Sequence, residues 1–285
     1  MKPAFVRRRK CKKRMFAGRF LPLGLFLALS VWISGSNNPV AAGILRIETQ
    51  TGVTVEGDLL TVRVTATNKG TEPAQKVQVH IILLARSRYG PVKGQLDPGH
   101  ADTFLFQETL TGTRKGRYPL TVLVDFHDAN QYPFSAVSCT TFYWKEDANP
   151  DLLCLGSDTT VGATGKLLFT IKNLGFEPRK VRSTLVLPKE LSTHDPQIDL
   201  QIDPRAEKRV VFEIANFSAL SGASYPVFCY FEYDSADTHY TAVARALIKI
   251  RKGENWFMRT KLLWLGAAIM LGVILVALQF KRKGS

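Results

Sequence analysis

Three short motifs recur along this chain at a nearly constant spacing, and that recurrence constrains its fold more than any other feature. Asn68-Lys-Gly-Thr-Glu-Pro73 matches Asn173-Leu-Gly-Phe-Glu-Pro178 at an offset of 105 residues. Leu96-Asp-Pro98 matches Ile202-Asp-Pro204 at 106, and Tyr118-Pro119 matches Tyr225-Pro226 at 107. Short loop insertions produce a drift of this size. A period of about 106 residues is a whole domain, because solenoid units run to only about 20–45 residues. The sequence therefore predicts two consecutive copies, 43–147 and 150–251. The polar stretch Lys145-Glu-Asp-Ala-Asn-Pro150 joins them and is expected to allow limited motion.

Each copy is rich in alternating apolar and polar runs split by Gly, Pro, Asn and Asp. Leu60–Ala66, Val77–Ile81, Leu120–Val124 and Lys208–Ile214 all alternate with period two, which places one face of a strand against a core. No comparable stretch has a helical period. Six to eight short strands per copy predict an all-β fold of two antiparallel sandwiches. On the strand opened by Tyr118-Pro119, Val122, Val124 and Phe126 are expected to face the core, with Thr121, Leu123 and Asp125 facing out. Cys229, Phe231 and Tyr233 are the corresponding inward set of the second copy. Asn and Gly in the Asn-x-Gly motif suit a turn with left-handed backbone.

A strand ending in Asn-x-Gly-x-x-Pro, a Pro-initiated middle strand and a Tyr-led strand closing on Asp together resemble the Ig-like modules of bacterial and archaeal surface proteins. The likeness is to the CARDB group and its relative, the NEW3 group, and it extends over both copies. It implies tandem Ig-like sandwiches with an adhesive or binding role. CARDB modules commonly follow the Asp turn with further acidic residues and an Asn pair. Here Gln131-Tyr-Pro-Phe-Ser135 and Thr238-His-Tyr-Thr241 stand instead, which departs from the family's pattern.

The formal charge of +14 suggests a nucleic-acid binder until it is located. Residues 1–42 hold nine Lys or Arg, residues 259–285 hold five, and neither stretch has an acid. The 24 basic and 24 acidic residues between them cancel. All the excess therefore flanks two apolar segments, so no nucleic-acid partner is expected. In the leader, a basic cluster from Arg7 to Arg14 precedes the apolar run Phe20–Ile33 and the small-residue end Val40-Ala41-Ala42. That order reads as a signal peptide cleaved after Ala42, with an uncleaved signal anchor as the alternative. Leu262–Phe280 is 19 residues long with only Gln279 polar. At about 1.5 Å per residue it nearly spans a ~30 Å hydrocarbon core. A C-terminal transmembrane helix with a cytoplasmic tail at 281–285 is expected. The chain would then sit in the cell membrane as a single-pass protein with its bulk outside the cytoplasm.

Little in the exported part points to chemistry. No cofactor is implied, no Cys or His spacing suggests zinc, and no nucleophile elbow or phosphate loop is present. His127 with Asp125 and Asp128, and His239 with Asp234 and Asp237, stand at acidic turns that are expected to shape hairpins rather than bind metal. Cys139, Cys154 and Cys229 are expected either to be buried apolar side chains or to include one bridge, for which Cys154 with Cys229 is the favoured pairing. The alignment of Cys229 with Val122 favours a core position. One basic, Tyr-bearing segment, Arg86-Ser-Arg-Tyr-Gly-Pro-Val-Lys-Gly94, is a candidate interaction loop through Arg86, Arg88 and Tyr89. Pro188–Pro196 is its counterpart in the second copy.

The expected role is a non-catalytic, membrane-anchored protein that presents two modules to another envelope protein or to a surface polymer. Two other readings compete with it: an accessory subunit that binds through its transmembrane helix, and an envelope hydrolase.

Overall fold

The computed structural model describes residues 43–251 and 256–283. The expected leader, 1–42, lies outside them. The described residues are mostly β. Strands β1 (Ile47–Glu56), β2 (Leu59–Asn68), β3 (Ala74–Leu83), β4 (Arg86–Leu96), β5 (Ala101–Thr109), β6 (Lys115–His127) and β7 (Pro133–Trp144) belong to the first copy. They form a three-stranded sheet in the order β1-β2-β5 and a facing layer in the order β4-β3-β6-β7, with all neighbours antiparallel. The second copy has β8 (Leu152–Ser157), β9 (Thr159–Val161), β10 (Thr164–Asn173), β11 (Arg179–Val186), β12 (Leu191–Ser192), β13 (Gln197–Ile202), β14 (Glu207–Asn216), β15 (Ser224–Ser235) and β16 (Thr238–Ile250). One sheet runs β12-β14-β10-β8, and the other runs β13-β11-β15-β16.

Each pair of layers encloses its own apolar core. Leu60, Val64, Ile81, Val122, Val124 and Trp144 fill the first. Phe169, Phe212, Phe231 and Ile248 fill the second, where Phe169 meets Phe212 and Phe231 edge-on with ring centroids 6.1 and 6.0 Å apart. Each such ring removed from water contributes roughly 2–3 kcal/mol. Val122, Val124 and Phe126 face the core as their alternation predicts. Cys229 lies in the second core at the matching position.

The repeated motifs do the same work in both copies. Asn68 and Asn173 are fully buried where β2 and β10 end. The Asn68 amide donates to the carbonyls of Glu72 (2.8 Å) and Leu96 (2.9 Å), and its oxygen accepts from the Gly70 N–H (2.9 Å). Asn173 likewise donates to Glu177 (2.8 Å), Ile202 (3.3 Å) and Asp203 (3.2 Å) and accepts from Gly175 (2.9 Å). Neither Asn nor its Gly has positive φ, so the expected left-handed turn is corrected. The Asn serves through its side chain, which replaces missing strand partners for three backbone groups in the first copy and four in the second. The motif tyrosines both bond backbone just upstream, in opposite senses. Tyr118 Oη donates to the Arg114 carbonyl (2.7 Å), and Tyr225 Oη accepts from the Leu220 N–H (3.0 Å).

The two copies share a sheet. The start of β16 pairs in parallel with the start of β6, through Thr238↔Lys115 and His239↔Gly116. Gly116 has φ +141, and a Cβ there would run into the His239 carbonyl, so only glycine allows this approach. Arg86–Gly94, expected as a loop, is instead part of strand β4 at the edge of this joined sheet. Alternation is absent there because β4 faces solvent on both sides along most of its length. The connecting stretch is also tied down: Ala148 is buried, and Lys115 pairs with Glu146 at 2.8 Å.

Helix α1 (Trp256–Lys283) follows. Its described side chains include the exposed apolar run Leu263–Leu275. Among the described residues no helix is long and apolar enough to cross a membrane. The expected span, 262–280, extends past the described side chains on both sides.

Candidate functional site

Thr121 and Leu123, which the alternation on β6 predicted to face outward, are buried, and Thr121 meets Tyr230 of the second sandwich. The central feature is Glu190, only 2% exposed. Its carboxylate accepts from the Ser135 N–H (2.8 Å) and from the Ser135 hydroxyl (2.6 Å), and that hydroxyl accepts in turn from the Lys189 N–H (2.8 Å). A buried carboxylate needs such partners, since charge taken out of water is costly unless it is hydrogen-bonded. Nearby, Lys189 Nζ pairs with Asp125 (2.6 Å), and His80 Nδ1 lies 3.5 Å from the same carboxylate. Thr121 and Tyr230 share a buried hydroxyl contact between the sandwiches. Burial raises the Tyr230 pKa well above its usual value. Lys189 and Glu190 belong to Pro188–Pro196, so the sequence counterpart of the basic segment is a docking element between the two copies.

At the other end of the junction, His239 Nδ1 meets Asp234 (2.8 Å) and Nε2 meets Glu232 (3.3 Å), while its ring stacks on Tyr118 at 4.4 Å. Burial alone would lower the His239 pKa, but hydrogen bonding and charge from Glu232 and Asp234 leave it raised. Both ring nitrogens are occupied, so neither is free to ligate a metal or act as a base in this arrangement. Arg114 crosses from the first sandwich to Asp234 (3.1 Å). His239 also lines an open groove of about 550 Å³ with Lys180, Arg182, Asp199 and Gln201. Among the described residues no group of three or more His, Cys, Asp or Glu side chains is placed to hold a metal. Asp125 and Asp128, grouped with His127 in the sequence reading, have different roles: Asp125 turns to Lys189, and Asp128 caps the hairpin by accepting from the Asn130 and Tyr132 N–H groups (both 2.8 Å).

The candidate interaction residues sit on β4. A bulge opposite Val79 places Gly90 and Pro91 out of register, and Gln78 Nε2 donates to the Gly90 carbonyl (3.0 Å). Bulges re-aim side chains at sheet edges. Here Tyr89, 64% exposed, lies on the buried His80 ring at 4.8 Å. Arg88 pairs with Glu108 of β5, and Arg86 is exposed. The His80 pKa is lowered, chiefly by burial and also by Lys189, against the opposing charge of Asp125.

The alternative of a bridge between Cys154 and Cys229 is not formed in the structure. Cys139, Cys154 and Cys229 are all free thiols. Cys229 is buried in the second core, where its thiol points to the Tyr230 carbonyl (3.7 Å). Burial pushes the Cys139 and Cys154 thiols up to about 12. Sequence reasoning missed Ser135, Glu190, Lys189 and Tyr230, because a contact between two folded copies leaves no periodic mark in either.

No protein-family model matches the chain, and no curated protein matches it. Among solved structures it is similar to trypsin-activated α2-macroglobulin from Escherichia coli, at 12% identity and TM-score 0.30, over 73% of this chain and 18% of that one. It is similar to red sea bream transglutaminase at 13% identity and TM-score 0.26, over 73% and 31%. It is also similar to the Escherichia coli chaperone DraB at 11% identity and TM-score 0.27, over 36% and 56%. The chain spans less than a third of the first two proteins and just over half of the third. Likenesses this distant carry no argument about activity.

Proposed function

We propose that this chain is a non-catalytic interaction protein of the cell envelope, anchored in the membrane near its C-terminus, whose two Ig-like sandwiches act as one stiff unit. The observation that carries this reading is the fate of the polar groups. The buried acid, His and hydroxyl side chains at the junction hold the sandwiches together, whereas the solvent-facing edge strand β4 presents Tyr89, Arg86 and Arg88. An edge strand offers unpaired backbone groups to an extended partner segment, and neighbouring side chains supply selectivity. Pro91, Arg86 and Lys93 oppose indiscriminate edge pairing on the same strand. The strand orders β1-β2-β5 and β4-β3-β6-β7 support an Ig-like module of the CARDB type. The leader and the apolar run 262–280 support export and anchoring.

A photo-crosslinking residue placed at position 89 in the cell, with the same residue at Leu155 on the β8 edge as control, tests the reading. A defined adduct at 89 that is lost with Arg88→Glu and not seen at 155 is expected. Identical adducts at both positions, or turnover of peptide, ester or glycan substrates by purified 43–258, would overturn it.

A further inference from the structure

Two features of the second sandwich meet at the end from which the chain leaves for α1. The loop 217–223 is bonded to the last residues before that exit: Gly222 N–H donates to the Ile250 carbonyl (3.1 Å), and Ser221 Oγ donates to the Arg251 carbonyl (3.1 Å). This loop carries Phe217, 81% exposed, and Leu220, 47% exposed. The first sandwich places its β6–β7 hairpin at the same end. Tyr132 Oη donates to the Ser218 carbonyl (3.0 Å), and the Tyr132 side chain stays partly open to solvent. At the opposite end Phe176, 83% exposed, carries the Arg205 guanidinium over one face of its ring at 4.2 Å.

We infer that Phe217 and Leu220, with Tyr132 beside them, form a second membrane contact that seats this end of the double sandwich in the lipid headgroup layer. The inference rests on the membrane-anchored reading. Five Cα steps separate Arg251 from Trp256, a reach of at most about 18 Å. A loop bonded to Arg251 therefore remains close to the bilayer surface once the helix is inserted. Aromatic and apolar side chains beside cations are the composition that partitions into this layer. Lys249 and Arg251 supply the cations at the same exit. The occupant is a lipid surface, because chain connectivity itself holds the loop there.

The test uses the full chain, on a Cys11→Ser background, in vesicles of phosphatidylcholine with phosphatidylglycerol. A nitroxide is attached at Phe217→Cys, at Leu220→Cys in a second variant, and at Phe176→Cys as control. Collision with oxygen is compared with collision with a water-soluble nickel chelate, and retention after an alkaline wash is scored for every variant. The expected result is retention of all three, with an oxygen-to-nickel ratio about threefold or more higher at 217 and 220 than at 176. Retention with equal, water-like ratios at all three sites overturns the membrane contact and leaves the anchor standing. Loss of the chain in the wash overturns the anchor, and the contact falls with it.

Discussion

Ser135 of the first sandwich gives both its backbone N–H and its hydroxyl to the Glu190 carboxylate of the second, at 2.8 and 2.6 Å. This pair couples the stability of the two cores. Glu190→Ala strands two donors in a site closed to water, and is expected to cost about 2–4 kcal/mol. Denaturant unfolding of 43–251 checks it. The wild type is expected to unfold in one transition, and the variant in two or in one at clearly lower denaturant. An unchanged midpoint would refute the coupling.

His239 gives the junction a pH dependence. Its folded pKa lies above the unfolded value of 6.5, so its contribution is complete below that value and is lost as pH rises through the folded pKa. His239→Gln is expected to destabilise by about 1–2 kcal/mol at pH 5.5. The difference from wild type should shrink by pH 9. His80 works in the opposite sense. Its folded pKa is lowered, so His80→Gln should close the gap to wild type as pH falls below 6.5. Urea titrations across this range separate the two histidines.

The buried asparagines are the most demanding positions of the repeat. Asn68→Ala leaves the partners of three side-chain hydrogen bonds unmet and Asn173→Ala those of four. Each is expected to cost on the order of 3 kcal/mol. Asn→Asp should cost nearly as much, since a carboxylate cannot donate to the Glu72 or Glu177 carbonyl. Thermal unfolding of the paired variants checks both copies at once.

The thiols are expected to be silent in the folded protein. Burial holds Cys139 and Cys154 near 12 and Cys229 well above its ordinary value, so little thiolate forms at pH 8. An aromatic disulfide reagent should leave these three unmodified in the native state and titrate all of them in guanidinium. Reductant should leave the unfolding midpoint unchanged. A midpoint that falls on reduction would restore the bridge between Cys154 and Cys229.

The sequence was most legible where local physics repeats. Period-two alternation, turn residues and the offset near 106 predict β-rich copies and the inward set Val122, Val124 and Phe126. The repeat also marks Asn68 and Asn173 as special, though not how they act. β4 was missed as a strand because both its faces meet water, so alternation had nothing to record. Charge placement separates two basic ends from a neutral middle through composition alone. What only the tertiary structure decided was the meeting of the copies. Thr121 reads as an ordinary outward polar residue until a second folded surface covers it, and Ser135 and Glu190 carry no mark in the sequence pattern. A hydrogen bond between residues 55 positions apart depends on where two finished sandwiches place their faces, and no local pattern encodes that.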